Sequence, residues 1–119
     1  MRKYIVLEKA VTMGSCDNLI RRIIIYETEK EGVYIFLSSS EDDIGCDADY
    51  WFEDVKSAEI YCKDYGIQQN DWIEAEDPLP NCQDDFIRPV RIKGRNIGNP
   101  QFGEYEILND GVWVDFSID

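Results

Sequence analysis

The sequence predicts an α+β fold in which an antiparallel sheet drawn from both chain ends packs against one main helix. Three observations carry that expectation: strand-type apolar runs near the N-terminus, a second pair near the C-terminus, and one stripe at helical spacing between them. A chain of 119 residues suits a single domain spanning 1–119, because two cores would leave each half too little surface to bury. Its 44% hydrophobic and 13% aromatic content can support a core despite 31% charged residues.

Tyr4-Ile5-Val6-Leu7 is a short apolar run, and Ile20 to Tyr26 is dominated by β-branched residues that pack well on a pleated surface. Glu29-Lys30-Glu31-Gly32 supplies a polar turn before Val33-Tyr34-Ile35-Phe36-Leu37, so these two runs should form an antiparallel hairpin. Asp54 is a natural N-cap for a helix over about 54–65, where Val55, Ala58, Cys62 and Tyr65 recur at spacings of three and four and Gly66 marks the end. Burying that stripe places Cys62 in the core, with Lys56, Glu59, Lys63 and Asp64 toward water. Asp71-Trp72-Ile73-Glu74-Ala75 adds a short strand, and Asp77-Pro78-Leu79-Pro80-Asn81 breaks regular structure.

Pro89 to Arg95 alternates Val90 and Ile92 with Arg91, Lys93 and Arg95, which gives one oily and one basic face at period two. Gly94 to Gly103 reads as a long turn whose glycines do not match a phosphate-binding spacing. Tyr105-Glu106-Ile107-Leu108 and Val112-Trp113-Val114-Asp115-Phe116 flank Asn109-Asp110-Gly111 and predict a second hairpin.

The formal net charge of −13 is concentrated. From Glu41 to Asp85 fifteen acids face only Lys56 and Lys63, and the flanking parts are neutral. Such a field repels a phosphate backbone and attracts basic proteins, so a basic protein partner is expected and nucleic acid is not. Tyr50, Trp51, Phe52, Tyr61, Tyr65 and Trp72 are interleaved with these acids. An exposed ring among carboxylates combines a desolvated anchor with electrostatic steering. The expected partner-binding residues are therefore Glu41, Asp42, Asp43, Asp47, Asp49, Tyr50, Trp51, Asp71, Trp72 and Asp77.

The chain contains no histidine, which removes Ser-His-Asp and Cys-His catalysis and imidazole-ligated zinc. Cys16, Cys46, Cys62 and Cys82 form no C-x-x-C pair, so neither a zinc site nor a dithiol redox site is preorganised. In Asp42-Asp43-Ile44-Gly45-Cys46-Asp47-Ala48-Asp49 the calcium-loop pattern fails, because Ile44 and Cys46 stand where ligands belong. Asp84 and Asp85 would point to opposite faces of a strand, and Cys16 lacks an activating base. The expectation is a protein without metal or other cofactor and without enzyme activity. No apolar run is long enough to span a membrane and Glu8 interrupts a secretory core, so a cytoplasmic protein with free thiols and no membrane partner is expected.

Tyr50-Trp51-Phe52-Glu53-Asp54, Tyr65-Gly66-Ile67, Asp71-Trp72-Ile73, Asp77-Pro78-Leu79-Pro80 and Asp84-Asp85-Phe86-Ile87-Arg88-Pro89-Val90 together resemble small acidic bacterial proteins. The resemblance covers the middle and C-terminal two-thirds of the chain and implies an α+β domain, with no activity or functional residue carried over. In size and acidity the chain is also similar to bacterial immunity proteins that neutralise toxins.

Two other function classes compete with an inhibitor of a basic partner. An anion-binding domain would use Arg91, Lys93 and Arg95 on the basic strand 88–95, beside a concave pocket at the Gly94 to Gly103 loop. A structural or assembly protein would instead expose an apolar edge or face for self-association.

Overall fold

In the computed structural model, which describes residues 1–118, the strands and the helix are distributed over two units, Met1–Asp77 and Pro78–Asp119. The first unit holds β1 (Arg2–Val11), β2 (Ile20–Glu27), β3 (Val33–Ser38), β4 (Ala48–Phe52), α1 (Val55–Lys63) and β5 (Ile73–Ala75). Its five strands form one antiparallel sheet in the order β4-β3-β2-β1-β5.

The register explains the core. Ile5 lies opposite Ile23, Ile23 opposite Leu37, Ile25 opposite Ile35, Ile35 opposite Tyr50 and Val33 opposite Phe52, so one face carries an unbroken apolar field. Ala58 and Cys62 of α1 are buried in the same cluster, with Val55 and Tyr65 packed half-buried against it. Each fully buried Ile or Leu here contributes roughly 1.5–3 kcal/mol relative to exposure. The β1–β2 ladder shifts register between Val6 and Val11, after which Val11 lies opposite Ile20.

Both ends of α1 follow local chemistry. The Asp54 side chain accepts a hydrogen bond from the Ser57 amide at 2.8 Å, and that bond holds its carboxyl below the usual range. At the other end the Gly66 amide donates to the Lys63 carbonyl and the Ile67 amide to the Cys62 carbonyl, the paired bonds of a Schellman turn. Gly66 adopts φ +86° there, and Ile67 returns to the core. Glu59 is less free than expected, because Lys3 of β1 meets it at 3.3 Å.

The second unit holds β6 (Val90–Ile92), β7 (Tyr105–Asn109) and β8 (Val112–Phe116) in the order β6-β7-β8. Asp110 and Gly111, both at positive φ, close the tight β7–β8 turn. Val90 and Ile92 are buried while Arg91 between them is not, as the period-two pattern requires.

The α+β class, the antiparallel pairing and the helix stand as expected. The single sheet drawn from both chain ends does not: the N-terminal strands and the C-terminal hairpin lie in separate sheets. Strand runs reveal which face is apolar but not which strand meets which edge: here β5 closes the first sheet on β1, and β6 adds to β7 in the second. β4 is an added strand, hidden in the sequence because Asp49 within it and the acids on either side lower apparent strand propensity.

Candidate functional site

The residues expected to bind a partner do not share one surface. Glu41 to Trp51 lie on and before β4, whereas Asp71, Trp72 and Asp77 flank β5, and these strands are the opposite edges of the five-stranded sheet. Four inter-strand spacings separate them, about 19 Å.

Several of those residues are occupied within the fold. Asp43 is buried, with its carboxylate 2.8 Å from a guanidinium nitrogen of Arg22, and both side chains are 3% exposed. It cannot face a partner. Asp47 accepts from the Ser39 amide and the Asn18 side-chain amide, which ties down the β3–β4 connection. Glu41 pairs with Arg21 at 3.4 Å. The Tyr50 hydroxyl accepts from the Ser15 amide at 3.0 Å, and its ring belongs to the helix-side aromatic cluster. At the other edge Asp71 accepts from the Gln68 amide, Asp77 lies 3.0 Å from the Met1 amino group, and Lys3 sits over the Trp72 ring.

What remains exposed is Asp42 in the β3–β4 connection and, at the β4 edge itself, Asp49 and Trp51, joined by Glu53. None of the three carboxylates makes an ion pair among the described residues. Glu53 was not among the expected site residues. The signal for it is the alternation of Asp49, Trp51 and Glu53 against Ala48, Tyr50 and Phe52, which marks a strand with one half-buried and one exposed face.

Trp51 is 55% exposed yet held in place. Its indole N–H donates to the Glu31 carbonyl at 2.6 Å, and its ring lies over Gly32, where an added Cβ would come within 2.6 Å of the indole nitrogen. The same strand is anchored from its other face: Tyr61 of α1 stands 5.8 Å from the Tyr50 ring and 5.5 Å from Phe52. The edge is therefore a rigid platform with an exposed aromatic residue and uncompensated negative charge.

The basic strand is occupied as well. Arg91 bonds Glu106 at 2.7 Å and stacks 3.6 Å over Trp113, Lys93 pairs with Asp115, and Arg95 donates to the Gln83 side chain at 3.0 Å. The Asp115 contact holds the Lys93 ammonium above its ordinary pKa. Arg91 and Lys93 thus answer carboxylates of their own unit, and Arg95 a side-chain amide there. Two open grooves, at Ile5 to Glu8 with Asp71 and Ile73, and at Gly103 to Tyr105 with Phe116 to Ile118, are lined by none of the three.

Among the described residues no three Cys, Asp or Glu side chains converge as ligands for a metal ion, and no helix is long and apolar enough to cross a membrane. No family model, curated protein or solved structure matches the chain.

Proposed function

We propose that this protein binds a basic protein through the β4 edge, acting as an inhibitor of the immunity type rather than as an enzyme. The observation that carries the reading is Trp51: a large aromatic ring, 55% exposed, fixed by a hydrogen bond and flanked along its strand by the exposed Asp49 and Glu53. Aromatic anchors supply most of the energy of protein interfaces, and uncompensated charge around them raises the association rate and selects the sign of the partner. The engagement of Arg91, Lys93 and Arg95 within their own unit leaves the anion-binding alternative without a comparable observation.

The test compares the wild-type chain with the triple variant Asp42→Lys, Asp49→Lys, Glu53→Lys as baits in native lysate, at low and at moderate salt. The reading expects a basic protein retained by wild type at low salt, weakened by salt, and lost with the variant. A variant that retains the same proteins as wild type refutes it.

A further inference from the structure

The β4 edge has a feature that charge and an aromatic anchor do not require: its backbone is unpaired on one side. β4 is the outermost strand of its sheet, bonded to β3 alone, and no backbone hydrogen bond reaches the outer side of Ala48–Phe52 among the described residues. We propose that this edge accepts an extended, cationic segment of the partner as a sixth strand. The proposal rests on the basic-partner reading and specifies how that partner is recognised.

Unpaired edges attract strands indiscriminately unless side chains set the terms. Here they do so in two ways. A second copy of this chain is rejected: pairing β4 with itself about Tyr50 would set Asp47 opposite Glu53 twice, and like charges directly opposite are destabilising. A cationic strand meets the reverse situation. Residues opposite Asp49 and Trp51 would lie within cross-strand reach of a carboxylate and of the indole face that is not covering Gly32, so Lys or Arg there gains an ion pair and a cation–π contact. Alternate residues would extend the half-buried row of Ala48, Tyr50 and Phe52, where apolar side chains fit. The segment recognised is thus one alternating cationic and apolar residues, and the edge is already rigid: Trp51 is pinned from one face and Tyr50 and Phe52 from the other.

The probe is a capped peptide of alternating Lys or Arg and Val, measured by calorimetry and by amide exchange on the full chain. Two isomers accompany it, N-methylated either at every Val or at every cationic residue. Amides of alternate residues point to opposite sides of a strand, so only one isomer loses the donors that face β4. The proposal expects the parent peptide to bind, exchange at β4 amides to slow, and one isomer to lose at least about tenfold in affinity while the other matches the parent. Asp49→Lys should weaken the parent by a similar factor.

Equal binding of both isomers overturns strand pairing and leaves the basic-partner reading intact, since diffuse attraction ignores backbone donors. A peptide that does not bind, while wild-type chain still retains a basic protein that the triple variant loses, overturns strand pairing in the same way. If no basic protein is retained either, both ideas fall. A concentration-dependent dimer that the peptide dissociates gives the edge to a second copy and overturns the proposal.

Discussion

Arg22 and Asp43 form a buried ion pair at 2.8 Å, on a stretch where the sequence shows only one more acid in an acidic run. Arg22 also donates to the Glu41 carbonyl at 3.0 Å, so the pair fastens the connection between β3 and β4 to strand β2. Removing one member leaves the other charged and buried. Asp43→Ala should therefore destabilise the protein by about 3–5 kcal/mol, whereas Asp42→Ala, one residue away and exposed, should change stability by less than about 0.5 kcal/mol. Urea unfolding of the two variants checks this, and equal midpoints would refute the assignment.

The loop before β2 is held by hydroxyl groups. Gly14 and Ser15 donate their amides to the Tyr65 and Tyr50 hydroxyls at 3.1 and 3.0 Å, and Gly14 has φ +56° with both Tyr50 and Tyr61 against the position where a Cβ would stand. Tyr50→Phe removes a hydroxyl bonded to both the amide and the side chain of Ser15 and should cost about 1–2 kcal/mol. Gly14→Ala should cost more, because it combines a left-handed backbone with a steric clash. Thermal melts that rank the two in the opposite order would show that the loop rearranges freely.

Burial pushes the Cys62 thiol up to about 12 from 9.0, with the nearby Glu59 carboxylate adding to the effect. The folded chain thus keeps this proton at pH values where the unfolded chain gives it up. Its contribution to stability is complete below pH 9.0 and is lost as pH rises from there toward about 12. Burial also raises the Tyr61 phenol, so the alkaline decline has more than one source. Cys62→Ala should cost about 1 kcal/mol at neutral pH through lost packing, yet show a shallower fall in stability above pH 9.0. Denaturant midpoints measured for both proteins between neutral and alkaline pH test this, and parallel profiles would remove the thiol from the account.

The sequence was most legible where one local cause decides the structure. The N-cap at Asp54, the stripe through Cys62 and the two hairpin turns depend on neighbours within a few residues, and each lies where spacing places it. Sheet membership depends on which edge meets which strand, and nothing in Val90 or Tyr105 distinguishes a strand added to the first sheet from one that founds a second. The candidate site failed in the same way. Asp43, Asp47 and Asp49 are chemically equivalent in the sequence, yet one is buried against Arg22, one ties down a loop and one is exposed on a strand. Only partners distant in the chain separate them. Strand alternation around Trp51 is the readable clue to Glu53, obscured by the density of acids on either side of it.

Trp51 and Gly32 make the last prediction, because they decide whether the proposed anchor is preorganised. Gly32 sits at φ +87° beneath the indole ring, and Glu31 receives the indole N–H. A methyl group at Gly32 would both strain the turn and push the ring off it. Gly32→Ala should therefore lower stability by at least about 1 kcal/mol and, in the folded protein, alter Trp51 fluorescence and loosen the ring. Trp51→Phe separates the two effects: the turn keeps its glycine and loses the hydrogen bond to Glu31 together with the part of the indole that covers Gly32, at a cost of about 1–2 kcal/mol. If Trp51 acts as a fixed anchor, both variants weaken partner binding, and Gly32→Ala does so without substituting any residue of the β4 edge. Unchanged binding by a folded Gly32→Ala protein with a displaced indole would show that the ring's position is irrelevant to recognition.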